Sequence, residues 1–122
     1  MDKHTILIVD DEKDLVSMVK LRLEALGYDT IEAYDGQEAL TKARNEKPDL
    51  IILDLMLPKM DGYKVCRMLK FDSRYKSIPI ILFTARAQDS DKDLGKEVGA
   101  DAYITKPFEA EVLLSKVKEL LS

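Results

Sequence analysis

The chain has 122 residues, 46% of them hydrophobic and 34% charged, with 19 lysines and arginines against 23 aspartates and glutamates, a net charge of −4. That length suits one domain with its own core, and a mildly acidic balance gives no bulk attraction to nucleic acid or to a membrane surface. One cysteine, Cys66, excludes an intramolecular disulfide; no apolar run approaches the roughly 20 residues of a membrane helix, and MDKHTILIVDD turns acidic too early for a signal peptide, so the expected compartment is the cytoplasm.

The first apolar, β-branched run is TILIV (5–9), a short strand. Leu15, Met18, Val19, Leu23 and Leu26 then recur at helical spacing, and Gly27 ends that helix. DTIEAY (29–34) reads as the second strand. Asp35-Gly36 opens a helix carrying Ala39, Leu40 and Ala43, which stops before Pro48. LIIL (50–53) is the third strand, and Asp61 caps a helix with Val65, Met68 and Leu69 on one face. Phe71 to Ser77 is irregular. IPIILF (78–83) is the fourth strand, followed by a polar helix over about 89–98 and Gly99. AYIT (102–105) is the fifth, and the last helix carries Leu113, Val117, Leu120 and Leu121. Five short strands, each followed by a helix, imply an α/β fold with a parallel sheet and right-handed crossovers. Strands one, three and four are apolar throughout, as strands covered on both faces are.

In an open parallel sheet, ligands bind beyond the carboxyl ends of the strands. Here strand one ends in Asp10-Asp11, strand three in Asp54, strand four in Thr84-Ala85 and strand five in Thr105-Lys106-Pro107. Taken singly, each has an ordinary explanation. Asp11 reads as a helix cap, Asp54 as a solvated loop acid, Thr84 as a hydroxyl bonded to backbone, and Lys106 as a surface lysine. The topology brings all four ends to one edge, and three converging carboxylates would repel and raise each other's pKa. A hard divalent cation relieves that repulsion, and Mg²⁺, held by one or two carboxylates and several waters, fits the donor set. It leaves Asp54 ionised beside a Lewis acid, the setting of a carboxylate nucleophile toward phosphorus. Cys66 falls beside the apolar face of its helix and is assigned to the core. His4, the sole histidine, has no second histidine near it and is given no ligand role.

The segments ILIVDDE (6–12), IILDLMLPKMDG (51–62), ILFTA (81–85) and GADAYITKPF (99–108), in this order and spacing, resemble the receiver domain of two-component response regulators over the whole chain. The resemblance implies one receiver domain over 1–122, a doubly wound, flavodoxin-like (βα)₅ fold, and strand order 2-1-3-4-5. It implies that a sensor histidine kinase or phosphotransfer protein presents a phosphohistidine and that Asp54 accepts the phosphoryl group. Asp11 binds Mg²⁺ directly and Asp10 assists, with Asp54 and the backbone carbonyl of Met56 completing the protein ligands. Lys106 pairs with a phosphoryl oxygen, Thr84 donates to another, and Ala85 leaves room for the group. Pro58 and Asp61-Gly62 shape the loop that returns Met56 to the metal, and Lys106-Pro107 stands where the family has a cis peptide.

The resemblance also implies a switch, in which Thr84 moves toward the phosphoryl group and Tyr103 rotates inward. The face formed by the fourth predicted helix, the fifth strand and the fifth helix then changes and meets a downstream effector or output domain. Relatives that bind DNA dimerise through that face with a charged set, matched in part by Lys92, Glu97, Asp101 and Lys116 or Lys118; Ala102 departs from it. A phosphorylation-dependent homodimer follows, while nucleic acid and membrane are not direct partners. Met56 and Arg86 occupy the two variable positions flanking the path of hydrolytic water. The chain is thus no turnover enzyme and catalyses only its own phosphorylation and dephosphorylation. Two rivals fit less well. A phosphohydrolase with an aspartyl-phosphate intermediate needs a second acid near Asp54, where Met56 stands. A flavin-nucleotide carrier needs a phosphate loop after strand one, where DDEKD repels phosphate.

Overall fold

All five apolar runs form strands, in a computed structural model that describes residues 3–84 and 99–122, Thr84 through its backbone alone. They are β1 (Thr5–Val9), β2 (Asp29–Ala33), β3 (Leu50–Asp54), β4 (Ile80–Thr84) and β5 (Ala102–Thr105). They make one parallel sheet in the order β2-β1-β3-β4-β5, as expected. The described helices are α1 (Lys13–Ala25), α2 (Gly36–Glu46), α3 (Gly62–Lys70) and α4 (Ala110–Leu121). The helix expected over 89–98 lies outside the described residues, as do Ala85, Arg86, Lys92 and Glu97.

Alternation along the central strands divides the core into two layers. Leu7, Val9, Ile51, Leu53, Ile80 and Leu82 pack with Ala39, Leu40, Ala43, Val65, Cys66 and Leu69 of α2 and α3. Ile6, Ile8, Leu50, Ile52, Ile81 and Phe83 pack with Val16, Val19 and Leu23 of α1 and Leu113 and Val117 of α4. This is the arrangement a doubly covered parallel sheet requires. Cys66 is a core residue as expected, and burial pushes its thiol up to about 12.

The helix ends follow local chemistry. Gly27 adopts φ +94, its N–H donates to Glu24 O, and the Tyr28 N–H donates to Leu23 O. Those paired bonds close α1 in a Schellman arrangement. Asp35 caps α2 by accepting from the Glu38 N–H at 2.8 Å, and Asp61 caps α3 by accepting from the Lys64 N–H at 2.9 Å. The left-handed Lys47 ends α2 just before Pro48.

Some boundaries differ from expectation. β4 starts at Ile80 rather than Ile78, because Pro79 has no N–H to give and the Ile78 N–H is taken by Tyr75 O. β2 stops at Ala33, because the Tyr34 N–H donates to the Glu38 carboxylate at 2.7 Å. The buried stripe of α3 is Val65, Cys66 and Leu69, which leaves Met68 36% exposed at its margin. Met18 and Leu26 are likewise marginal on α1.

Candidate functional site

The carboxyl edge of the sheet gathers the expected residues. Among the described residues, Asp10 and Asp54 are the polar ones that are buried, at 0% and 5% exposure. Asp10 follows directly on β1, and Asp54 is the last residue of β3. The exposed Asp11 completes a cluster in which one carboxylate oxygen from each of Asp10, Asp11 and Asp54 lies within 4.8 Å of the other two. An all-oxygen set of this size suits a hard cation such as Mg²⁺, which takes one or two carboxylates and keeps waters.

Asp11 is not the helix cap its isolated position implied. Glu12 is the residue before α1, and its N–H is satisfied by Asp10 Oδ1 at 2.9 Å. The Asp11 side chain is therefore left to the cluster. Asp10 divides its two oxygens, since Oδ2 faces Lys106 Nζ at 2.6 Å. Lys106 Nζ also lies 3.5 Å from Asp54 Oδ2, 3.4 Å from Glu12 Oε1, and 5.5 Å from the centre of the Phe83 ring. Phe108 stacks on Phe83, with ring centres 4.8 Å apart. One ammonium thus serves three carboxylates over an aromatic floor. Sequence reasoning missed Glu12 as a partner of Lys106. Its one signal is that it is the third acid in succession after β1.

Burial pushes the Asp54 carboxyl up to about 6; the negative charge of Asp10 adds to the rise, and Lys106 and the Met56 N–H oppose it. Asp10 is also raised, chiefly by burial, against its hydrogen bond with Lys106. Burial pulls the Lys106 ammonium downward, but the hydrogen bond to Asp10 and the charges of Asp54, Asp10 and Glu12 together raise it above the ordinary lysine value. The lysine therefore stays charged while Asp10 and Asp54 hold protons more tightly than usual.

The loop after β3 returns at once to the site. Asp54 Oδ1 accepts from the Met56 N–H at 3.3 Å, and the Gly62 N–H donates to Leu55 O at 3.0 Å. A Cβ at Gly62 would sit 2.2 Å from the Asp54 carbonyl oxygen, so the turn needs glycine there. The Met56 side chain is 73% exposed at the rim. The Lys106-Pro107 peptide is cis.

The remaining predicted residues fall into two groups. Thr84 ends β4 in register with Thr105, and its side chain, like Arg86, lies outside the described residues. Tyr103 is half-buried against the α2/α3 layer of the core, in register with Leu82. Asp101 is engaged within the chain. It accepts from the Ile80 N–H at 2.8 Å and pairs with Lys70 Nζ at 2.7 Å, while Lys116 pairs with Glu119 at 3.0 Å. Among the described residues, no helix is long and apolar enough to cross a membrane.

A family model described as the response regulator receiver domain matches residues 6–118. The alkaline phosphatase synthesis transcriptional regulatory protein PhoP of Bacillus subtilis (strain 168) is 50% identical over 116 residues, which cover 95% of this chain and 48% of that protein. The DNA-binding dual master transcriptional regulator RpaA of Synechocystis sp. is 47% identical over 116 residues, again covering 95% and 48%. The chain therefore spans about half the length of these relatives. Among solved structures, the chemotaxis response regulator CheY4 of Vibrio cholerae superposes with a TM-score of 0.92 at 36% identity, covering 98% of this chain and 100% of that one.

Proposed function

The chain belongs to the response regulator receiver domain family, and from that premise we propose that it is a phosphorylation-activated switch with Asp54 as phosphoacceptor. One observation carries the assignment. Asp54 is a buried carboxylate at the end of a central strand, 3.5 Å from an ammonium and within 4.8 Å of two further carboxylates. A structural acid has no need of such company, whereas a nucleophile aimed at an anionic phosphoryl group does.

A histidine kinase or phosphotransfer protein presents a phosphohistidine. An Asp54 carboxylate oxygen attacks phosphorus, the P–N bond breaks, and the imidazole nitrogen leaves with the bonding pair and takes up a proton. Asp10, Asp11, Asp54 and the Met56 carbonyl would hold Mg²⁺, which when bound supplies positive charge against the phosphoryl oxygens. Lys106 exchanges a carboxylate contact for a phosphoryl oxygen, and Thr84 donates its hydroxyl to another. Phosphorylation then biases two states of the molecule, since only a differential interaction can shift such an equilibrium. Tyr103, half-buried in β5, is the side chain we assign to report it.

The activity is confined to this chain's own aspartyl-phosphate, whose lifetime Met56 and Arg86 set. A cytoplasmic setting follows from the kinase partnership. The output is an effector or further domain, for which the DNA-binding regulators among the relatives are the guide. A homodimer through β5, α4 and the helix expected over 89–98 has Asp101 only if Lys70 releases it. Incubation with acetyl phosphate and Mg²⁺ followed by intact-mass spectrometry tests the core of the reading. Wild type should gain one phosphoryl group and Asp54→Asn none. A full adduct on the variant removes Asp54 from the role.

A further inference from the structure

The loop that offers the Met56 carbonyl is tied to the sheet at its base, where the Leu55 N–H donates to Phe83 O at 3.2 Å and the Gly62 N–H to Leu55 O at 3.0 Å, while its tip leans on another element. Lys59, at its tip, has φ 68, a left-handed conformation unfavourable for any residue with a side chain. Within the loop, the Met60 N–H donates to Pro58 O at 2.8 Å, which closes the tip on itself without tying it to the sheet. The tie at the tip comes from another element. The Gly36 N–H, in the first turn of α2, donates to Pro58 O at 3.3 Å. Asp35, the cap of that helix, turns its second oxygen to Lys59 Nζ at 3.5 Å. Gly36 itself admits no side chain, because a Cβ there would lie 1.9 Å from the Met60 carbonyl oxygen and 2.7 Å from its carbon. Its backbone is ordinary helix, so close approach, not φ, demands glycine.

We propose that the N-terminus of α2 is the brace of the phosphorylation site, with Gly36 and Asp35 as positioning residues that hold the 55–61 loop where Met56 faces Asp54. The proposal rests on the reading of Asp10, Asp11, Asp54 and the Met56 carbonyl as the cation site. A bound cation needs that carbonyl in place, and its position depends on a loop held at its base by Leu55 and Gly62 and at its tip by Pro58, Lys59 and Met60. Residues that orient ligands without touching the ion commonly alter affinity about 10–100-fold when changed. By linkage, whatever the brace contributes to Mg²⁺ binding, Mg²⁺ returns to the brace.

Gly36→Ala tests this directly. Alanine is favourable to helix and lacks only the clearance. In metal-free protein the variant should shift the backbone NMR signals of residues 55–60 while leaving those of β1 and β3 in place. Its Mg²⁺ dissociation constant, from titration followed by NMR or calorimetry, should rise about tenfold. A wild-type experiment covers the case in which the variant fails to fold: Mg²⁺ should slow amide exchange at Gly36 and leave Lys47, at the other end of α2, unchanged. Loop signals that stay put, Mg²⁺ affinity within twofold of wild type, or Gly36 exchange indifferent to Mg²⁺ would each overturn the brace. Wild type that binds no Mg²⁺ would instead overturn the cation site, and the metal-free shifts would still judge the loop contact.

Discussion

Holding an ionised carboxylate in the core has a measurable consequence for stability. The folded Asp54 carboxyl titrates at about 6 against an ordinary value of 3.8, a rise caused first by burial and then by Asp10. A carboxyl with a raised folded pKa binds its proton more tightly folded than unfolded. Stability is then highest below the unfolded value and declines as pH rises through the folded one. The interval is about 2 pH units, and at about 1.4 kcal/mol per unit it amounts to about 3 kcal/mol at neutral pH. Asp54→Asn keeps the shape and the acceptor for the Met56 N–H, and it removes the charge. In Mg²⁺-free buffer at pH 7 the variant should be more stable than wild type by about 2–3 kcal/mol. For a chain of 122 residues, each kcal/mol corresponds to about 4 °C in Tm. Denaturant melts followed by circular dichroism across pH 3.5 to 8 would measure the gap. It should close below pH 4, where wild type is protonated in both states, and narrow at pH 7 when Mg²⁺ binds wild type. A variant no more stable than wild type at pH 7, or a gap that persists at pH 3.5, refutes the reasoning.

Asp11→Ala should lose Mg²⁺ binding and phosphorylation together with little change in Tm, since Asp11 is exposed and bears no cap; calorimetric titration and intact-mass analysis read the two, and phosphorylation at the wild-type rate in saturating Mg²⁺ would show its role to be wrong. Lys106→Ala should still bind Mg²⁺, and beryllofluoride should shift the NMR signals of Thr84 and Tyr103 in wild type but leave them unmoved in the variant. Wild-type shifts confined to residues 54–61 would argue against the switch. Methionine offers no good acceptor to hold the hydrolytic water at position 56, and arginine at 86 offers donors only. The double variant Met56→Asn, Arg86→Glu should therefore lose its phosphoryl group faster, and equal decay after donor removal counts against the assignment.

The convergence of Asp10, Asp54 and Lys106 was legible because it depends only on strand direction. Each follows or ends an apolar run, and parallel strands send their carboxyl ends to one edge. The caps at Asp35 and Asp61 were legible for the same local reason. Contacts between elements were not. That Gly36 lies against Met60, or that Lys70 holds Asp101, follows from how closely α2 and α3 approach their neighbours, which no spacing along the chain encodes. Met68 and Leu26 went astray because helical periodicity locates a stripe but not its edges. Asp11 looked like a cap because the rule for capping residues cannot see that the helix begins one residue later, at Lys13, with Glu12 in the capping position.

As the proposed phosphoacceptor, Asp54 is useful only within a narrow window of burial. A carboxylate more exposed than this one keeps an ordinary pKa and is a weaker base, hence a weaker nucleophile. One more deeply buried, or deprived of Lys106, would climb toward neutrality and spend part of its time protonated, without the anionic oxygen that attacks phosphorus. Two features hold it between these limits. The Met56 N–H and Lys106 stabilise its ionised form, while the apolar strand and Asp10 oppose it. The balance leaves the pKa at about 6, below neutral pH and well above an ordinary aspartate. On the function proposed, Lys106 does more than pair with the incoming phosphoryl group. Before any donor arrives, it is the charge that lets a carboxylate stand ionised at the end of the buried β3.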